Sequence, residues 1–278
     1  MRPLILVLCA VLLWAAPVHA VTLPFDSNFE TTIGDEGWVF FNTGDPSQSL
    51  AISADAGALS GAKSAKGIWT VLSGGGGGGA MLANHFTSNT QVFMRNPVKV
   101  MPGFQLPFNG QTKLMRIQGT RGGVNGGTGG YPFIWFSYSS GYYAVVMEAP
   151  FDANNLTLSS GVVPRFGQWD QVEWQVKLNT PGQSNGEMRI WVNDVLRNEV
   201  TGRQFIGPAT DSRGVSGLLN PSDLRFEAVQ LFVQGGSGTI YHDRVAIDTT
   251  RIGLVSGGPP PPTQDTTPPS PPTALTVQ

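Results

Sequence analysis

Apolar and polar residues alternate along Gln171–Val195, QVEWQVKLNTPGQSNGEMRIWVNDV, around a central turn segment of Pro, Gly, Ser and Asn. Val172, Trp174, Val176 and Leu178 share one phase, and Glu173, Gln175 and Lys177 the other. Beyond the turn, Met188, Ile190 and Val192 repeat the apolar phase against Arg189, Trp191 and Asn193. A period of two predicts paired strands, because successive side chains of a strand leave opposite faces of the sheet. Similar runs, bounded by turn residues, predict strands at 51–53, 67–72, 91–100, 112–118, 132–139, 142–148, 224–233 and 239–245. No stretch repeats apolar residues at helical spacing behind a cap, and the crossover helices of a parallel sheet are missing. The pattern predicts an all-β antiparallel sandwich, or jelly roll.

Two strands break the alternation. Phe133–Phe136 and Tyr142–Met147 are apolar in both phases, which predicts central strands whose outer face is covered by loops or occupied by a ligand. The glycine-rich stretches Gly74–Gly79 and Gly119–Gly130 are long enough to form such a cover. Neither is a phosphate loop: the first lacks a following Lys-Ser or Lys-Thr, and the second does not open a helix.

The ends of the chain are not part of this pattern. Residues 1–20 carry Arg2, an apolar run from Leu4 to Trp14 and a Val18-His19-Ala20 cleavage signature, so they predict a signal peptide and a secreted, extracellular protein. That run is too short to span a bilayer comfortably, and no membrane insertion is expected. Cys9 is the only cysteine and leaves with the signal, which excludes disulfides, Cys-ligated zinc and a thiolate nucleophile from the mature chain. One sandwich domain is expected over 22–254, followed by a Gly/Pro/Thr-rich extended linker at 255–270. The net charge of −2, with no run of Lys or Arg, argues against nucleic acid as a partner.

The second face of the Gln171–Val195 hairpin holds the most suggestive chemistry. Glu173, Gln175, Lys177, Arg189, Trp191 and Asn193 combine ions, amides and an indole, the groups that stack on sugar rings and pair with hydroxyls. They are the candidate glycan-binding set. The plainer alternative is a solvated face with cross-strand ion pairs worth about 0.2–1 kcal/mol each.

WDQVEWQVKLNTPGQSNGEMRIWVNDV, IYHDRVAIDTTRIG and the opening Phe25–Glu30 together resemble the concanavalin A-like jelly-roll domains, which include laminin-G-like modules and polysaccharide lyases. Residues 271–278, with Leu275-Thr276-Val277 behind a Pro-rich lead, resemble the start of a fibronectin type III module. The first resemblance implies a concave sheet that presents polar and aromatic groups to a polysaccharide. For a lyase acting on a uronate, Arg116 and Gln118 are the candidates to hold the carboxylate. His85, Tyr142 or Tyr143, and Tyr241 or His242 are candidates for proton transfer. The chain departs from the alginate-lyase pattern. Lys113–Gln118 reads KLMRIQ without the glutamate and second arginine of Arg-x-Glu-Leu-Arg, the Gln-x-His pair is missing, and SSGYYAVVMEA lacks the lysine. Hydrolysis is disfavoured, since no strand carries the spaced carboxylates that such chemistry uses.

Asp26, Asn28 and Glu30 alternate near the first strand and Asp243 lies on the closing one. If the terminal strands pair, Asp26, Glu30 and Asp243 are candidate ligands for a structural calcium ion, with capping and turn hydrogen bonds as the alternative. No organic cofactor is expected. The sequence thus predicts a glycan-binding sandwich, with a β-eliminating polysaccharide lyase and a non-catalytic scaffold or adhesion module as alternatives.

Overall fold

The computed structural model describes residues 21–42, 49–55, 57–71, 80–107, 110–119, 133–211, 213–215, 217 and 220–256, with backbone alone at 40–42, 71, 80–85, 118–119 and 133. The expected signal peptide, the linker from residue 257, the fibronectin-like end and residues 74–79 and 120–130 of the glycine-rich stretches lie outside the described residues. The first strands are β1 (Phe25–Ser27), β2 (Val39–Asn42), β3 (Ser49–Ser53), β4 (Ser64–Val71), β5 (Ala80–Asn89), β6 (Gln91–Val100), β7 (Gln111–Gly119) and β8 (Phe133–Ser139). They continue with β9 (Tyr142–Glu148), β10 (Asn155–Ser159), β11 (Asp170–Lys177), β12 (Gly186–Val192), β13 (Val195–Arg203), β14 (Phe226–Gln234), β15 (Gly236–His242) and β16 (Val245–Asp248). Every pairing between these strands is antiparallel.

A nine-stranded sheet runs β13-β12-β11-β6-β15-β4-β3, with β16 and β1 attached beside β6, and a seven-stranded sheet runs β10-β9-β8-β7-β14-β5-β2. The all-β antiparallel sandwich of the jelly-roll type is thereby observed. Trp174, Val176, Met188 and Ile190 from the first sheet meet Ile117, Phe136, Val145 and Leu231 from the second in one fully buried core. Each such side chain contributes roughly 1.5–3 kcal/mol through burial.

The nine-stranded sheet forks. Along one edge β6 pairs with β15 through Val98–Val100, then with β16 through Phe93–Arg95. Pro97, which has no amide hydrogen to offer a ladder, sits at the changeover. The single strand expected at 239–245 is broken at the same place. Arg244 takes φ 48°, and the Asp243 carboxylate accepts the amides of Leu59 and Ser60 at 2.8 and 3.0 Å.

His242 lies inside the sandwich, fully buried, with Nδ1 3.0 Å from Asn96 Oδ1. Because that oxygen only accepts, Nδ1 carries the proton in this contact. Burial pushes the imidazole down to about 3. A histidine whose folded value lies below its unfolded one adds stability above about pH 6.5 and loses it as pH falls toward the folded value, by roughly 1.4 kcal/mol per pH unit. Asp243, raised by burial to about 6, acts in the opposite sense: its contribution is present below the unfolded aspartate value and lost as pH rises through 6. His242→Gln is therefore expected to remove the histidine's share of the slope. The stability difference between wild type and variant in urea titrations should shrink steadily from pH 6.5 to pH 4. A constant difference would show that His242 is not held neutral.

Candidate functional site

The face predicted to meet glycan is covered in part by residues 251–255, a strap that follows β16. Register places Trp191, Glu173, Arg95, Ala246 and Asp26 in one cross-strand row through β12, β11, β6, β16 and β1. Residues 251–255 lie over it. The Glu173 carboxylate accepts Arg251 Nε at 2.9 Å and the amides of Ile252 and Gly253 at 2.8 and 2.9 Å. Gln171 Oε1 accepts the Val255 amide at 2.6 Å. The Arg251 guanidinium covers the Trp191 ring at 4.4 Å, with Phe93 at 6.2 Å on the same indole, and Trp191 is 8% exposed.

The remaining predicted contacts also have internal partners. Gln175 accepts Arg189 at 2.8 Å, and Lys177, Glu187, Arg189 and Glu199 form a ladder of ion pairs at 2.7–2.9 Å. Asn193 takes φ 52° in the turn, where its side chain accepts the Gln171 amide and donates to Asp170. The alternation of Gln171–Val195 thus assigned the two faces, but the end of its second face at Gln171, Glu173 and Trp191 is a docking surface for the strap. The physical reason is charge matching: the strap brings Arg251 to Glu173 and Asp194, while Arg95 and Arg244 both meet Asp26.

The carboxylates expected to gather as metal ligands also have other partners. Glu30 accepts the amides of Ala62 and Lys63 at 2.8 and 2.9 Å, and Lys63 Nζ donates to the Glu30 carbonyl. Asp243 holds the other end of the same loop, and Asp26 is clamped between Arg95 and Arg244 at 2.6–2.9 Å. Among the described residues no three His, Cys, Asp or Glu side chains come together.

The tyrosine candidates for proton transfer are scattered. Tyr241 lies on β15 of the nine-stranded sheet, where its hydroxyl donates to Asp55 just after β3, while Arg116 belongs to the opposite sheet. Tyr143 is a core residue that donates to Asp170 at 3.0 Å, and burial raises it well above the usual phenol range. Tyr142 is 39% exposed at the start of β9, four residues or roughly 13 Å along the strand from Val146.

The backbone register brings the positions of Arg116, Gln118 and His85 together. Arg116 pairs with Trp135 and with Gln230, Gln230 with Ala83, and two residues further Ala228 pairs with both Gln118 and His85. On the face of the seven-stranded sheet away from the core, Trp135, Val146 and Phe232 form a separate apolar cluster. The Arg116 guanidinium lies 4.7 Å from the Trp135 ring and 5.1 Å from that of Phe232, and its Nε donates to Gln230 at 2.8 Å. It is 8% exposed, and burial pulls it down to about 10. Lys113 Nζ lies 3.6 Å from the centre of the same indole and 3.5 Å from Glu148 Oε1. Burial also lowers this ammonium, with the Glu148 charge opposing.

Lys113, Trp135, Glu148, Gln230 and Phe232 escaped the sequence reading. In strict alternation Lys113 and Arg116 would leave opposite faces. Irregularities between Lys113 and Met115 and between Leu231 and Gln234 shift the phase, so both cations reach Trp135 while Leu114 and Met115 are both buried in the core. The doubly apolar FIWF stretch was the one available signal.

No protein-family model matches this chain, and no curated protein is similar to it in sequence. Its fold is similar to that of solved structures. An endo-β-1,4-glucuronan lyase from Trichoderma reesei superposes with a TM-score of 0.57 at 13% identity, covering 81% of this chain and 95% of that one. The alginate lyase vAL-1 from Chlorella virus gives 0.54 at 14% identity, covering 81% and 98%. The cellulose induced protein Cip1 gives 0.51 at 16% identity, covering 83% and 99%. At these identities the likeness is one of fold.

Proposed function

We propose that this protein recognises a uronate-containing polysaccharide on the outer face of the seven-stranded sheet, with Arg116 and Lys113 meeting the sugar carboxylates. The observation that carries this reading is the Arg116 guanidinium, held between Trp135 and Phe232 and fixed by Gln230. A cation in apolar surroundings interacts strongly with an anion, because little water competes. A guanidinium also matches a carboxylate with two parallel hydrogen bonds. Trp135 is engaged by two cations, so its role is to hold charge in place more than to stack on a neutral sugar. Two of the proteins of similar fold are, by their names, lyases of glucuronan and alginate, which supports an acidic glycan as ligand.

A second reading, β-elimination, draws on the register that sets Gln118 and His85 beside the Arg116 row. In that reaction a base takes the C5 proton, the C4–O bond breaks, a C4=C5 double bond forms and the released oxygen takes a proton. Arg116 would stabilise the charge that develops on the carboxylate. Calorimetric titration with β-1,4-glucuronan, alginate and a cello-oligosaccharide tests the first reading. Binding of the uronates that weakens with salt, and little binding of the neutral chain, is expected. Equal affinity for all three would contradict it. New ultraviolet absorbance from an unsaturated uronate in the same mixtures would establish elimination.

A further inference from the structure

Glu148 is the carboxylate that both cations of the proposed site feel: its charge acts on Lys113 and on Arg116. It ends β9, where the next residue, Ala149, turns with φ 49°. Its contact with Lys113 is a single one at 3.5 Å, and its side chain is 35% exposed. The pairs that fix this fold are tighter. Arg165 meets Asp170 at 2.6 Å, and Arg203 and Arg244 each grip a carboxylate through two nitrogens at 2.6–2.9 Å. Lys113 has a second support in Trp135, 3.6 Å away, so the ammonium stays in position when Glu148 leaves.

We propose that Glu148 is a built-in stand-in for the ligand's carboxylate, occupying Lys113 in the free protein and yielding it to an incoming uronate. This inference rests on the proposed function. A single, half-exposed ion pair is worth about 0–1 kcal/mol, so exchanging it for a sugar carboxylate is nearly neutral in charge and inexpensive. A neutral sugar has nothing to exchange and leaves the Lys113–Glu148 pair closed. The device therefore costs a uronate a little affinity and keeps uncharged glycans from engaging Lys113, which is specificity obtained by discriminating against the competitor.

The test is calorimetric titration of wild type, Glu148→Gln, Lys113→Met and the double variant with a β-1,4-glucuronan oligosaccharide at low salt. Glu199→Gln, the same charge change in an exposed pair on the other sheet, serves as the control. Glu148→Gln is expected to tighten glucuronan binding roughly twofold to fivefold. The gain should vanish in the Lys113→Met background, and Glu199→Gln should leave affinity unchanged. Wild-type binding with no gain, or a loss, in Glu148→Gln overturns the exchange and leaves the proposed function standing. An equal gain in Glu199→Gln overturns it as well, since the effect would then be general charge. Absence of uronate binding by wild type and variants alike overturns both.

Discussion

Arg116→Met is expected to weaken binding of β-1,4-glucuronan by at least about a hundredfold while lowering the melting temperature by only a few degrees, roughly 2–4 °C per kcal/mol. Two charge-assisted hydrogen bonds to a carboxylate in apolar surroundings are worth roughly 1.5–3 kcal/mol each, and a hundredfold is about 2.7 kcal/mol. Methionine fills much of the same volume between Trp135 and Phe232 and removes a charge that burial already penalises. Against this gain, Gln230 Oε1, wholly buried, loses the Arg116 donor, which costs about 1–3 kcal/mol. The two readouts should therefore separate. If the variant no longer unfolds cooperatively above the temperature of the titration, Arg116 supports the fold and the binding assignment fails.

The second large effect is on stability. Glu173→Ala is expected to destabilise the domain by about 3 kcal/mol in urea unfolding. The carboxylate is 4% exposed and accepts hydrogen bonds from Arg251, Ile252 and Gly253. Removing it leaves two amides and a guanidinium without their acceptor, the situation that makes the loss of one partner costly. The strap should then loosen at Trp191, so the variant's indole should become accessible to an aqueous quencher well below the unfolding midpoint. Glucuronan affinity should not change, because the strap and Arg116 lie on different sheets. A loss of affinity with an intact fold would return the ligand face to Trp191.

The sequence expressed the sheets better than the site. Strands such as Gln91–Val100 and Asp170–Lys177 alternate or run apolar enough to be read directly, and their observed bounds agree closely. β2, β5, β10, β13 and β16 were missed: β5 because AMLANHFTSN mixes small, polar and apolar residues, β13 because an edge strand exposed along most of its length carries no buried phase, and β2, β10 and β16 because they are only four or five residues long. The polar phase of Gln171–Val195 was identified correctly as unusual, yet its partner lies 78 residues further along in Arg251, and no local pattern announces such a contact. Arg116 was legible as a single residue. Its surroundings were not, because a bulge moves Lys113 onto its face and because Trp135 and Phe232 belong to strands apolar in both phases. The carboxylates Asp26, Glu30 and Asp243 have the composition of an ion site, but nearby amides and arginines satisfy them.

The indole N–H resonances of isotope-labelled protein, assigned with Trp135→Phe and Trp191→Phe, give the most direct measurement. Adding β-1,4-glucuronan should shift the Trp135 signal progressively and saturably and leave Trp191, covered by Arg251, unmoved. A shift confined to Trp191, or none at either indole with ligand in excess, would contradict recognition of an acidic polysaccharide at Arg116.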